Sequence, residues 1–155
     1  SLHSLHITNI VLIERLDITL DKNLTALTGE TGAGKSILLD SLGLVTGARA
    51  DANLIRKGEA QASVSASFEG PNCATAYAIL RDQAVVCDDS EPLVLRRVLS
   101  ADGKSRAFIN DQAVSVSLLR QIGETLVDIH GQFETYGLLD PAQHGLILDS
   151  YAGLE

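Results

Sequence analysis

No stretch of this chain is more constraining than Gly29-Glu30-Thr31-Gly32-Ala33-Gly34-Lys35-Ser36, where two glycines enclose four residues and are followed by Lys-Ser, the phosphate-binding P-loop pattern. Such a loop works only when a buried strand delivers it and a helix N-terminus behind it faces the phosphates. Leu24-Thr25-Ala26-Leu27-Thr28, after the turn-like Asp21-Lys22-Asn23, predicts that strand. Ile37, Leu38, Leu39, Leu42 and Leu44 predict a helix that stops at Gly47. Gly29, Gly32 and Gly34 let the main chain approach a polyphosphate closely, so that successive N–H groups can cradle its charge. Lys35 would reach the β and γ phosphates, and the Ser36 hydroxyl would ligate Mg²⁺.

Composition narrows the remaining choices. A chain of 155 residues, 45% hydrophobic, is one domain or part of one and can bury a sizeable core. No apolar run approaches a membrane-spanning length and the N-terminus lacks a secretory build, which predicts a cytosolic protein without membrane contact. Twelve basic against twenty acidic residues, a net charge of −8, confines any DNA contact to a local patch. Aromatics at 4% are too few for a base-stacking platform. Cys73 and Cys87 lack metal-ligand spacing, and His3 and His6 have no further ligand nearby.

Along the chain, residues 5–20 read as one or two strands, with Leu16, Ile18 and Leu20 on one face. The segment 47–58 is polar and irregular and holds Arg49, Arg56 and Lys57, a solvated connection or a loop facing nucleotide or DNA. Residues 62–69 alternate strictly, with Val64, Ala66 and Phe68 inward, and 73–84 favour a short helix. Asp88-Asp89-Ser90-Glu91-Pro92 reads as a solvated acidic turn. Residues 93–99 and 105–110 predict a hairpin around 101–104, with a second turn at 110–112. Arg96, Arg97, Lys104 and Arg106 make this hairpin the most basic part of the chain, the place to look for DNA. Ser115 or Ser117 would cap a helix reaching Leu126, with Gly123 a weak point inside it. Leu126–Ile129 reads as a buried strand ending at His130-Gly131-Gln132, and Asp140-Pro141 starts a last helix.

A complete P-loop ATPase needs an acidic residue at the end of an apolar strand to hold Mg²⁺ and a carboxylate to orient water. Neither that run nor a Ser-Gly-Gly signature occurs, so the site is incomplete within these residues. The segment 28–42 resembles the P-loop of the RecN family, SMC-like ATPases of DNA double-strand-break repair. Further agreement lies in Gly47-Ala48-Arg49 through Ile55-Arg56-Lys57-Gly58, in 103–110, in 126–132 and in the Leu-Leu-Asp beginning at Leu138. Residues 70–92 fall outside the matching stretches.

The resemblance implies an α/β fold, the N-terminal lobe of an ABC/SMC-type ATPase head, with a mixed sheet, an antiparallel β subdomain and flanking helices. Residues 1–155 would be the N-terminal half of a head divided by a coiled coil, its signature and acidic residues lying in the C-terminal half. It implies ATP and Mg²⁺ as cofactors, residues Gly29–Ile37 around the nucleotide, and Gln132 as the glutamine that senses Mg²⁺ and the attacking water. Arg49 or Arg56 would serve the loop coupling nucleotide to DNA, while Phe133 stands where a second histidine is expected. Partners would be the C-terminal half, a second head in an ATP-dependent homodimer, and double-stranded DNA ends, in a cytoplasmic, nucleoid-associated setting. Other readings are an ABC transporter nucleotide-binding subunit, a small P-loop kinase using Asp128, and a non-catalytic binding module.

Overall fold

The structure, a computed structural model, describes residues 1–19 and 32–127. Six strands form one sheet in the order β2-β1-β3-β4-β5-β6, every neighbouring pair antiparallel. They are β1 (Leu2–Ile10), β2 (Ile13–Thr19), β3 (Gln61–Phe68), β4 (Leu93–Ser100), β5 (Ser105–Ile109) and β6 (Gln112–Val114). This is the expected antiparallel subdomain; the strand at 24–28 lies outside the described residues.

Alternation decides which side of the sheet is covered. On β3, Ala62, Val64, Ala66 and Phe68 are buried while Ser63, Ser65 and Ser67 are half-exposed, so one face is apolar and the other carries hydroxyls. Leu5 and Ile7 of β1 and Leu93, Leu95 and Leu99 of β4 continue the apolar face. Tight turns join the outer strands: Gly103 takes φ +90° in the β4–β5 connection, and Asn110 and Asp111 take φ 47° and 66° before β6.

Among the described residues, three helices and the apolar face share one core. Helix α1 (Gly32–Val45) buries Leu38, Leu39, Leu42, Leu44 and Val45. Helix α2 (Cys73–Asp82) buries Cys73, Ala76, Tyr77 and Leu80, the i, i+3, i+4, i+7 stripe of one helical face. Helix α3 (Val116–Leu126) buries Leu119, Ile122 and Leu126, each such leucine or isoleucine contributing about 2 kcal/mol. Ser115 is its cap, accepting the Leu118 N–H at 3.0 Å.

One expectation needs correction. Leu126 ends α3 and does not open a strand; the backbone becomes extended only at Val127, and 128–129 lie outside the described residues. The helix runs unbroken through Gly123, which lets another segment come close: a Cβ there would stand 2.7 Å from Thr46 Cβ.

The 47–58 segment is more ordered than its composition suggests. A 3-10 turn (Ala52–Leu54) is capped by Asp51, whose carboxylate accepts the Asn53 N–H at 2.9 Å. Val11 N–H donates to Leu54 O at 2.7 Å and Arg56 N–H to Asn9 O at 2.8 Å, which stitches the segment to the β1–β2 turn.

Candidate functional site

Helix α1 begins at Gly32, so its first turn is Gly32-Ala33-Gly34-Lys35. An α-helix start carries N–H groups without intrahelical acceptors and the positive end of the macrodipole, and no acidic side chain occupies this first turn. Lys35 and Ile37 are half-exposed and Ser36 is exposed, which leaves both the ammonium and the hydroxyl within reach of a ligand. A polyphosphate with Mg²⁺ fits this donor set: N–H groups and a lysine for the anion, a hydroxyl for a hard cation. Gly29, Glu30, Thr31 and Gln132 lie outside the described residues.

The arginine candidates are elsewhere. Fourteen residues at about 1.5 Å each separate the two ends of α1 by roughly 20 Å, and exposed Arg49 follows the far end. Arg56 is half-buried, with Glu14 and Glu59 each 3.9 Å away, distances at the outer limit of ion pairing. Neither is brought to the start of α1 by the helix itself.

That far end holds the residue that sequence patterning placed in the wrong environment. Arg97 counts among the basic residues of the hairpin expected to meet DNA, yet it is 1% exposed. Its Nη1 donates to Leu44 O at 2.9 Å and Ala48 O at 2.7 Å, and its Nη2 to Ser105 Oγ at 3.1 Å. Arg120 of α3 adds a second guanidinium, donating through Nε and Nη2 to Gly47 O at 3.2 and 3.1 Å. The carbonyls that end a helix are its negative pole, so both cations sit where the macrodipole favours them. Burial, helped by the nearby Arg120 charge, lowers the Arg97 pKa to about 10, which leaves it protonated at neutral pH.

Asp40, half-buried on α1, has its carboxyl pushed above the usual range by burial and by the Asp51 charge. Ser41 Oγ is buried with no hydrogen-bond partner among the described residues. Among those residues no group of three or more His, Cys, Asp or Glu side chains could hold a metal, and the acidic turn is tied internally, Asp88 accepting from Ser90 N–H and Oγ–H.

A helix that opens on Gly32-Ala33-Gly34-Lys35-Ser36 and is seated on the apolar face of an antiparallel sheet is the helix half of a P-loop nucleotide-binding motif. The chain belongs to the AAA domain family, whose model matches residues 4–138. It is 41% identical over 149 residues to the DNA repair protein RecN of Vibrio cholerae, and 44% identical over 149 residues to that of Halalkalibacterium halodurans, 96% of this chain in each case. The resemblance read from the motifs therefore extends across the chain. It spans about a quarter of the length of these curated relatives, 26% of each. Among solved structures, one from work on ATP-driven dimerization and DNA-stimulated activation of SMC ATPases superposes with a TM-score of 0.58 at 21% identity, covering 96% of this chain and 98% of that one. The fold is thus of the SMC ATPase type. None of the described helices is long and apolar enough to cross a membrane.

Proposed function

We propose that this chain is the ATP-binding N-terminal half of a RecN-like, SMC-type ATPase head acting in DNA double-strand-break repair. The observation that carries the reading is the placement of the motif: Lys35 and Ser36 stand in the opening turns of a helix whose buried side is fixed to the sheet. In this reading residues Gly29–Ile37 surround the phosphates, Lys35 holds the β and γ groups, and Ser36 takes Mg²⁺ together with Gln132. When bound, MgATP supplies a γ-phosphoryl group, and the C-terminal half of the head supplies the signature and acidic residues that these 155 residues lack.

Two such heads would sandwich nucleotide between the P-loop of one and the signature of the other, linking nucleotide affinity to dimerisation. Arg49 fits a role across that interface better than one at its own P-loop, since it follows the far end of α1. Arg56, held by its own backbone to the β1–β2 turn, is the alternative. Cytoplasmic, nucleoid-associated action on DNA ends follows from the same reading.

The test is reconstitution. ATP turnover and ATP-dependent dimerisation are measured for this chain alone and with the C-terminal half-head added, each repeated with Lys35→Ala. Activity and dimers confined to the reconstituted sample with Lys35 intact support the reading. Phosphate transfer by the chain alone overturns it.

A further inference from the structure

The outer face of the sheet is composed differently from the rest of this acidic chain. The pairing register aligns Arg15, Thr8, Ser63, Val98 and Arg106 across β2, β1, β3, β4 and β5. The neighbouring row runs Asp17, His6, Ser65, Arg96 and Phe108 across the same five strands. Thr8, His6, Arg15 and Arg106 are exposed, and Ser63, Ser65, Arg96 and Phe108 half-exposed; Val98, at 4% exposed, lies buried among them, so the face is open to solvent everywhere but there.

Its charges are one-sided. Asp17 is the one acid at an outward strand position in these rows, and it is already engaged, its Oδ1 2.7 Å from His6 Nδ1 and its Oδ2 accepting from Arg15 Nε at 2.9 Å. Arg96 lies over the Phe108 ring at 4.1 Å, and neither it nor Arg106 has a carboxylate within ion-pairing distance among the described residues. Between the Arg15 strand and the Arg106 strand are four inter-strand steps of about 4.8 Å, or roughly 19 Å, floored by the short side chains of Thr8, Ser63 and Val98. Short side chains let a rigid partner approach the sheet while the arginines at the sides meet its charge.

We infer that this face binds the sugar-phosphate backbone of double-stranded DNA without reading sequence. Arginines, hydroxyls and histidine are phosphate-contacting groups that position a duplex and carry no base code. A single-stranded partner is disfavoured because the one aromatic ring on these rows, Phe108, already stacks with Arg96. The choice of DNA among polyanions rests on the proposed repair function; the location and the phosphate chemistry do not.

The experiment titrates this chain with fluorescent duplexes of two unrelated sequences across a salt series, alongside fluorescent-ATP binding and thermal melting. Arg96→Gln/Arg106→Gln is expected to weaken both duplexes by roughly tenfold at low salt and to flatten the salt slope by nearly two phosphate contacts. Ser63→Asp, which places a negative charge on the floor without touching the core face, is expected to weaken binding comparably. Arg81→Gln, which removes an exposed cation of α2 on the core side of the sheet, should leave duplex affinity within about twofold. No duplex binding at low salt, binding insensitive to the three face substitutions, or loss confined to the Arg81 variant overturns the inference. So does a face variant that changes self-association in sedimentation while DNA affinity stays constant, since the face would then be a protein interface. Retained ATP binding in those cases leaves the ATPase-head reading standing; loss of ATP binding in the parent chain strikes that reading instead.

Discussion

Arg97 on β4 donates to the carbonyl of Leu44, in the last turn of α1, at 2.9 Å, and so ties the far end of the P-loop helix to the sheet. The same nitrogen reaches Ala48 O, and Ser105 Oγ takes another guanidinium hydrogen. Arg97→Met would keep much of the volume and remove the guanidinium's hydrogen bonds to Leu44 O, which retains the Gly47 N–H at 3.2 Å, and to the half-buried Ala48 O. It is expected to lower stability by about 2–4 kcal/mol, read from urea unfolding. Arg97→Lys should fall between, because one ammonium cannot replicate the fork. A Met variant as stable as the parent would show that water satisfies these carbonyls equally well.

The opposite side of the same turn leads to a prediction against helix propensity. Alanine is about 1 kcal/mol better than glycine inside a helix, yet a Cβ at position 123 would stand 2.7 Å from Thr46 Cβ and 2.9 Å from Thr46 O. Because the obstruction includes backbone, it cannot turn aside. Gly123→Ala should therefore destabilise by about 1–3 kcal/mol in thermal or chemical melts. A stabilised variant would mean that α1 and α3 can part at no cost.

The two serines before α3 are separable. Ser115 Oγ accepts from Leu118 N–H, whereas Ser117 is exposed within the first turn. Ser115→Ala should cost about 1 kcal/mol, the usual value of an N-cap, and Ser117→Ala close to nothing. Equal effects in parallel unfolding curves would contradict the capping geometry.

What could be read from sequence was local. The alternation of 62–69, the turn residues of the β4–β5 and β5–β6 connections and the stripe of α2 report periodicities set within a few residues, and the elements lie where those periods put them. Arg97 was misplaced because its charge outweighed its register. In Leu93-Val94-Leu95-Arg96-Arg97-Val98-Leu99 it shares parity with three buried leucines and Arg96 does not. That alternation, trusted over residue type, would have found it. Gly123 had no local signal, since its value comes from a segment 77 positions away in sequence packing against it. The P-loop was legible as a motif and its helix as a pattern, whereas the sheet order that seats them depends on long-range pairing that no window contains.

Asp40 links the site helix to pH. Burial first, and the Asp51 charge second, raise its folded-state pKa above 3.8, so the folded protein holds this proton more tightly than the unfolded chain does. Stability contributed by the protonated form is present below about 3.8 and is lost as pH rises through the raised folded value, leaving a charged, partly buried carboxylate as a cost at neutrality. Asp40→Asn should accordingly be more stable than the parent at pH 7, with the advantage shrinking as pH falls toward 3.8. Asp51→Asn, which can still accept the Asn53 N–H, should give a smaller change of the same sign. Paired urea melts at pH 7 and pH 4 check both. An Asp40→Asn variant less stable at pH 7 than at pH 4, relative to the parent, would reverse the sign and mean that the carboxylate has a favourable partner when charged.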